Sequence, residues 1–376
     1  MKRGISFLQM IVGLSLAASM AFASTEVNVY SHRHYDSDKA LFKAFEEKSG
    51  IKVNVITAKA EELVSKLKIE GTNSPADMLI TSDIGNLYEA KEEGLLQKID
   101  SKVLSANIPA HLRDADNEWF GLTKRARIFV YNPEKLSEKE LGSYLDLSDP
   151  KFKGKILTRS SSAAYNKSLL ASIIANHGEA KALEFAKGLV ANLAREPKGN
   201  DRDQIKAVAS GEGDLAIVNT YYLGVMLNSK DPKDVEVAKS VKIFFPAQKA
   251  EGAHINISGA GVTKYAKNKE NAMKLIEFLS SVEAQTLFAE ANHEYPANPA
   301  VKASGMRLAC GWARNCIRPT TSCTAAPMCR RSMPWWYRNI TTPSSSKQAG
   351  ASRSFRKVYL TLPEQMKPLT LPSQMG

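Results

Sequence analysis

Residues 27–55 read VNVYSHRHYDSDKALFKAFEEKSGIKVNV, and the alternation inside this stretch decides the fold class. Val27-Asn28-Val29-Tyr30 is a short strand pattern. From Asp38 to Ser49 the spacing puts Leu41, Phe42 and Phe45 on one helical face, with Ser37 or Asp36 as N-cap and Gly50 as the C-terminal stop. Ile51-Lys52-Val53-Asn54-Val55 returns to strand. Strands alternating with helices imply parallel pairing in an α/β sheet.

The pattern continues outward. Glu61 to Glu70 reads as a helix with Leu63, Val64 and Leu67 inward, broken by Gly71 to Pro75; Met78-Leu79-Ile80 is a buried strand, and Asn86 to Glu93 a helix ended by Gly94. Gly121 to Tyr131 is a long strand, ended by Asn132-Pro133, that crosses to a second α/β set. There, strands at Lys155–Leu157, Leu215–Val218 and Val241–Phe245 accompany helices at Asn166–Asn176, Ala180–Asn192 and Asp201–Ser210. Ile255 to Val262 is the return crossing, and Asn271 to Asn292 one long helical segment. The expected architecture is two-lobed α/β, each lobe a central mixed sheet flanked by helices, joined by two crossing strands and closing about a hinge. Residues 24–122 and 251–304 form one lobe in this reading, and residues 123–250 the other.

Both ends of the chain differ from this body. Lys2 and Arg3, the apolar run from Ile5 to Ala18 and Ala21-Phe22-Ala23 have the order of a cleavable signal peptide, residues 1–23. The apolar run is too short for a membrane span, so an exported soluble protein is expected. Of 51 basic residues, 11 lie in Gly305–Gly376 beside a single acid, Glu364; apart from Lys2 and Arg3, the remaining 38 face 38 acids in residues 24–304. The net charge of +12 therefore belongs to the ends, and the neutral body gives no reason for a nucleic-acid or anionic-membrane partner. All four cysteines (Cys310, Cys316, Cys323, Cys329) also lie in residues 305–376, at spacings that fit no zinc signature. Two readings stand for this patternless tail: translation out of frame, or a genuine basic appendage.

Four tyrosines carry the chemistry. Tyr35, Tyr165 and the pair Tyr221-Tyr222 each follow a strand pattern, where ligands of open α/β sheets are bound. Phenolate is a hard oxygen donor suited to a hard, highly charged cation, so their convergence would make a ferric site. Each segment also has a local reading. Tyr221-Tyr222 could be a half-buried aromatic pair; Ser160 to Ser162 could be an N-cap cluster, or that helix start could hold a carbonate or phosphate oxygen. Arg125 and Arg127 flank Ala126 on a strand, which leaves one of them free to be solvated.

Two rival functions share these residues. His32, His34 and Asp36 fit H-x-H-x-D, the start of a zinc-hydrolase pattern, but Ser37 stands where a further histidine belongs. His111, His177, His254 and His293 supply no partner motif. A carrier of polyamine, sulfate or thiamine with the same architecture is the other rival. Its carboxylates would be Asp83, Asp201 and Asp203, which read as solvated loop charges. No phosphate-binding loop and no G-x-S-x-G elbow occur.

Three segments together, Val29–Tyr35, Arg159–Asn166 (RSSSAAYN) and Gly213–Gly224 (GDLAIVNTYYLG), resemble the ferric-iron-binding periplasmic proteins, the type II solute-binding components of iron ABC importers. The resemblance runs over residues 25–304. It implies Tyr35, Tyr165, Tyr221 and Tyr222 as metal ligands, His34 as a ligand or a lining residue, and Arg125 and Arg33 beside the metal. It implies Fe3+ or Fe2+ as transported cargo, an anion or water completing the shell, an inner-membrane permease as partner, a monomer in the periplasm, and no catalytic residues. Val225 stands where relatives often carry an arginine, and the atypical tail replaces the family's C-terminal helices.

Overall fold

The computed structural model describes residues 25–301, His34 excepted. The expected signal peptide of residues 1–23, the residue 305–376 tail with its four cysteines, and the expected role of His34 lie outside the described residues.

Strand β1 (Glu26–Ser31), helix α1 (Asp36–Ser49), β2 (Lys52–Thr57), α2 (Ala60–Glu70), β3 (Met78–Thr81) and α3 (Ile84–Glu92) follow in strict alternation. β1 pairs in parallel with both β2 and β3. Leu41, Phe42 and Phe45 of α1 are buried against Val27, Val29, Met78 and Ile80, while Leu63, Val64 and Leu67 of α2 pack with Tyr30 and Leu79. Neighbouring strand residues thus feed opposite faces of the sheet. Gly50 closes α1 in the left-handed conformation (φ 71°), its N–H donating to Glu46 O, a conformation only glycine adopts without steric cost. The N-cap of α1 is Tyr35, not Ser37 or Asp36, and no side chain caps it.

After the short α4 (Lys102–Asn107), β4 (Phe120–Tyr131) serves both lobes. Its first half, Phe120 to Ala126, pairs antiparallel with β8. From Arg127 to Tyr131 it pairs instead with β6 and, through Phe129 to Tyr131, with β7. The second set comprises β5 (Ile156–Leu157), α5 (Ala164–Ala191), α6 (Asp201–Ala209), β6 (Leu215–Asn219), α7 (Thr220–Leu227), α8 (Pro232–Ser240) and β7 (Lys242–Phe244). β8 (Ile255–Val262) returns to lie between β3 and β4, followed by α9 (Lys269–Ser280), α10 (Val282–Asn292) and β9 (Tyr295–Pro296). The strand order is β2-β1-β3-β8-β4-β6-β5, with β7 and β9 also on β4. Phe129, Leu215 and Ile217 enter one core cluster and Ile128, Ala216 and Val218 another, so the second sheet is also covered on both faces.

The two helices expected at Asn166–Asn176 and Ala180–Asn192 are present as the two parts of α5, separated at Gly178, whose φ of 82° and ψ of 166° are non-helical. Two expectations change. The single long helix expected over Asn271–Asn292 is two, because Ser281 leaves helical geometry and its side chain caps α10 by accepting from Ala284 N. The tyrosine pair does not merely end a strand: β6 passes directly into α7, which carries both rings.

Candidate metal centre

Each tyrosine sits where a helix begins after a strand. Tyr35 precedes the first residue of α1, Tyr165 lies in the first turn of α5, and Tyr221 and Tyr222 in the first turn of α7. The free backbone N–H groups and the dipole at such ends favour negative charge. The preceding strands, β1, β5 and β6, present their carboxyl ends to the same cleft.

The four phenols converge. Tyr35 Oη donates to Tyr221 Oη at 3.4 Å, although 186 residues separate them. Tyr165 Oη lies 3.3 Å from the same Tyr221 oxygen. Tyr222 stacks on Tyr221 with ring centroids 4.2 Å apart and an interplanar angle of 29°, and Tyr35 meets Tyr221 edge-on at 6.3 Å and 84°. Tyr221 is buried (3 % exposed), and Tyr35, Tyr165 and Tyr222 are half-buried.

Burial pushes the hydroxyls of Tyr35, Tyr221 and Tyr222 above the usual tyrosine range, and a negative charge on Tyr165 would push all three further. Arg125 and Arg33 pull Tyr35 back. These three hydroxyls are therefore protonated at neutral pH until a strong Lewis acid displaces the protons.

Four guanidinium groups surround the rings. Arg33 lies over Tyr35, 4.8 Å from its centroid. Arg125, Arg127 and Arg159 lie 5.5, 5.9 and 5.6 Å from the centroid of Tyr165. Arg125 and Arg127 are both fully buried, so neither is the solvated member that the strand alternation allowed. Two buried carboxylates hold these arginines. Glu294 accepts from Arg33 Nη2 at 3.0 Å and from Arg125 Nη1 at 3.2 Å, while Ser258 Oγ also binds both guanidiniums. Asp201 accepts from Arg127 Nη1 at 2.8 Å, from Arg159 Nη1 at 3.5 Å, and from the N–H of Asn219, the N-cap of α7, at 2.8 Å. Burial raises Glu294, but Arg33 and Arg125 outweigh it and hold this carboxyl below the usual range.

The acids read as solvated loop charges mostly are not. Asp201 is fully buried, and Asp83 caps α3 through Gly85 N and accepts from Asn256 Nδ2 at 2.6 Å. Asp203 alone stays at the surface, in the capping box of α6. Ser160 to Ser162 do not cap α5, whose N-cap is Ala163; Ser160 and Ser162 bond each other at 2.9 Å. Glu294 has no motif or period to announce it, Asp201 reads in sequence only as a carboxylate of the rival carrier, and Arg159 only as the start of the RSSSAAYN segment; their shared setting emerges from the ion pairs around the tyrosines.

The histidines are dispersed among other partners. His32 Nδ1 lies 3.0 Å from Ser82 Oγ, His177 pairs with Glu251, and His254 Nε2 lies 3.1 Å from Ser168 Oγ. Among the described residues no group of three His, Cys, Asp or Glu is placed to hold a metal. The phenol cluster does fit a hard cation. Its oxygens are hard donors, and the buried Arg125 Nε and Nη2, Arg127 Nε, Arg159 Nε and Asn219 Nδ2 around it have no hydrogen-bond acceptor. Such orphaned donors suit an anionic cluster of phenolates.

The chain is similar to known proteins over most of its length. The chain is 51% identical over 271 residues to iron uptake protein A1 of Synechocystis, covering 72% of this chain and 75% of that protein. It is 33% identical over 306 residues to the major ferric iron-binding protein of Neisseria meningitidis, covering 80% and 88%. The structure matches the ferric binding protein from Campylobacter jejuni with a TM-score of 0.75 at 44% identity, over 88% of this chain and 99% of that one. The Trichodesmium protein solved with iron and citrate matches with a TM-score of 0.72 at 43% identity, over 89% and 99%. The resulting fold class is the two-lobed α/β type II binding-protein fold, and the zinc-hydrolase reading of His32, His34 and Asp36 is set aside: solute-binding proteins are transport components, not enzymes. Residues 73–309 match the family model described as bacterial extracellular solute-binding protein, and the chain belongs to that family.

Proposed function

We propose that this protein captures ferric iron between its lobes and delivers it to an inner-membrane ABC permease, with Tyr35, Tyr165, Tyr221 and Tyr222 as the ligands. The observation that carries the assignment is the meeting of phenol oxygens at 3.3–3.4 Å around Tyr221. Iron uptake and ferric binding in the relatives support the same cargo. Residues 24–122 and 251–304 would form one lobe and residues 123–250 the other, so that Tyr35 and the remaining three ligands approach from opposite sides. A ligand set divided in this way is complete only when the lobes are closed, and closure is what a permease can read.

Binding exchanges protons for metal: Fe3+ displaces the phenolic protons, and the surrounding guanidiniums offset the negative charge that results. A monomer working in the periplasm, exported by a cleaved N-terminal segment, completes the proposal. No helix among the described residues is long and apolar enough to cross a membrane. The polyamine, sulfate or thiamine alternative has less support, because Asp201 and Asp83 are engaged with arginine, asparagine and backbone partners.

Adding Fe3+ to the purified protein should produce a visible phenolate-to-iron charge-transfer band. The double change Tyr221→Phe and Tyr222→Phe should abolish tight binding and that band with the fold intact, since only hydroxyls are removed. Wild-type affinity in the double variant would overturn the ligand assignment. Anaerobic titration with Fe2+ alongside Fe3+ identifies the preferred oxidation state, and the same titration with and without carbonate or citrate shows whether an anion completes the shell.

A further inference from the structure

The tyrosine cluster is bordered by two arginine pairs, each gripped by one fully buried carboxylate. Glu294 holds Arg33 and Arg125, and Asp201 holds Arg127 and Arg159. The two carboxylates come from distant parts of the chain, the segment after α10 and the first residue of α6. Neither touches a phenol oxygen through a hydrogen bond among those described; each holds guanidiniums packed on the rings of Tyr35 and Tyr165. Arg33 has one further carboxylate partner, Asp38, at 2.8 Å.

These fixed charges make a simple tally. Four guanidiniums stand against three carboxylates, leaving one positive charge around the phenols. Four phenolates with a trivalent ion carry one negative charge, so the loaded site is neutral with no added anion. With a divalent ion the same donor set is left one charge negative. In a buried site an unbalanced charge is poorly screened and costly.

We propose that Glu294 and Asp201 are specificity-determining residues that set the charge of cation the site accepts, favouring a trivalent over a divalent ion. The inference rests on the ferric reading of the tyrosine site and adds to it residues that contact no metal. Removing either carboxylate charge makes the surroundings one unit more positive and so penalises Fe3+ relative to Fe2+. Removing the carboxylate together with one of its arginines restores the balance.

The test is the reduction potential and the separate Fe3+ and Fe2+ affinities of the loaded protein, for wild type, Glu294→Gln, and the double variant Arg33→Gln/Glu294→Gln. Circular dichroism of each metal-free protein serves as the folding control. Glu294→Gln should lower the Fe3+ to Fe2+ affinity ratio at least tenfold, about 59 mV upward in potential for one electron. The double variant should return most of the way to wild type, which a merely structural role for Glu294 would not allow. Asp201→Asn and Arg159→Gln/Asp201→Asn form an independent pair, used if Glu294→Gln does not fold. An unchanged potential in the single variants, or an equal shift in single and double variants, would overturn the inference while leaving iron binding in place. A wild-type protein with no charge-transfer band would overturn the ferric reading and this inference with it.

Discussion

At the scale of single residues, the metal chemistry turns on protons. Burial holds the hydroxyls of Tyr35, Tyr221 and Tyr222 above the ordinary tyrosine range, so these three are protonated throughout the neutral range in the metal-free protein. With the proposed tyrosine ligands the proton and the metal compete for the same oxygens, so affinity should fall as pH falls. Loading the site with Fe3+ should release about four protons per metal, one from each phenol. Calorimetry in buffers of different ionisation enthalpy would measure this, and Tyr222→Phe should reduce the count by one. A release near zero would mean that the phenols do not ligate as phenolates. The four tyrosines were legible in sequence because their residue type and their position after strand patterns both carried meaning. Glu294 and Asp201 were not, since a lone acid beside a helix has no period, and its worth depends on arginines brought from up to 261 positions away.

At the scale of elements, a capping residue explains where periodicity misled. Residues Asn271 to Asn292 keep an apolar period across Ser281, so they read as one helix, yet Ser281 leaves helical geometry at φ −67° and ψ 159° and caps α10. Ser281→Ala should cost about 1 kcal/mol of stability by removing that cap, measurable by urea unfolding; no change would mean that tertiary contacts alone fix the break. Helix α7 was missed for a different reason. Its sequence, TYYLGVML, is apolar throughout, and its buried and half-buried faces show no polar contrast. Helices α2 and α3 offer a pH test. Burial, then the nearby Glu61 and Glu93, push the Glu89 carboxyl up to about 7, and its Oε2 has no hydrogen-bond partner. An acid raised in the folded state destabilises the fold once ionised, so this contribution is lost as pH rises from its unfolded value of 4.5 to about 7. Glu89→Gln should therefore raise the melting temperature at pH 8 and leave it nearly unchanged at pH 4. The opposite ranking would show that Glu89 is stabilised as a carboxylate.

At the scale of the whole molecule, the alternating strands and helices announced two α/β sets, but nothing periodic announced how the sets touch. Sequence patterns report which face of an element is buried, not which neighbour covers it. The contact that matters lies between α7, packed in the β6 core through Leu223 and Met226, and the end of α10, packed in the β1–β3 core through Phe288. Gly224 in α7 meets His293, which comes directly after α10 in the left-handed conformation at φ 56°. A Cβ at position 224 would come within 2.7 Å of His293 Cβ and 2.9 Å of its Cγ. One turn earlier in the same helix are Tyr221 and Tyr222, and the residue after His293 is the Glu294 that grips Arg33 and Arg125. Gly224→Ala should hold the two sets apart where they close over the metal. Overpacking of this kind costs about 1–3 kcal/mol, which corresponds to roughly a five- to 150-fold weaker hold on Fe3+. The metal-free variant should melt like wild type, while X-ray scattering of the loaded variant should give a larger radius of gyration than loaded wild type. Wild-type affinity with wild-type scattering would mean that α7 and α10 have room to spare, and that closure is set by the tyrosines alone.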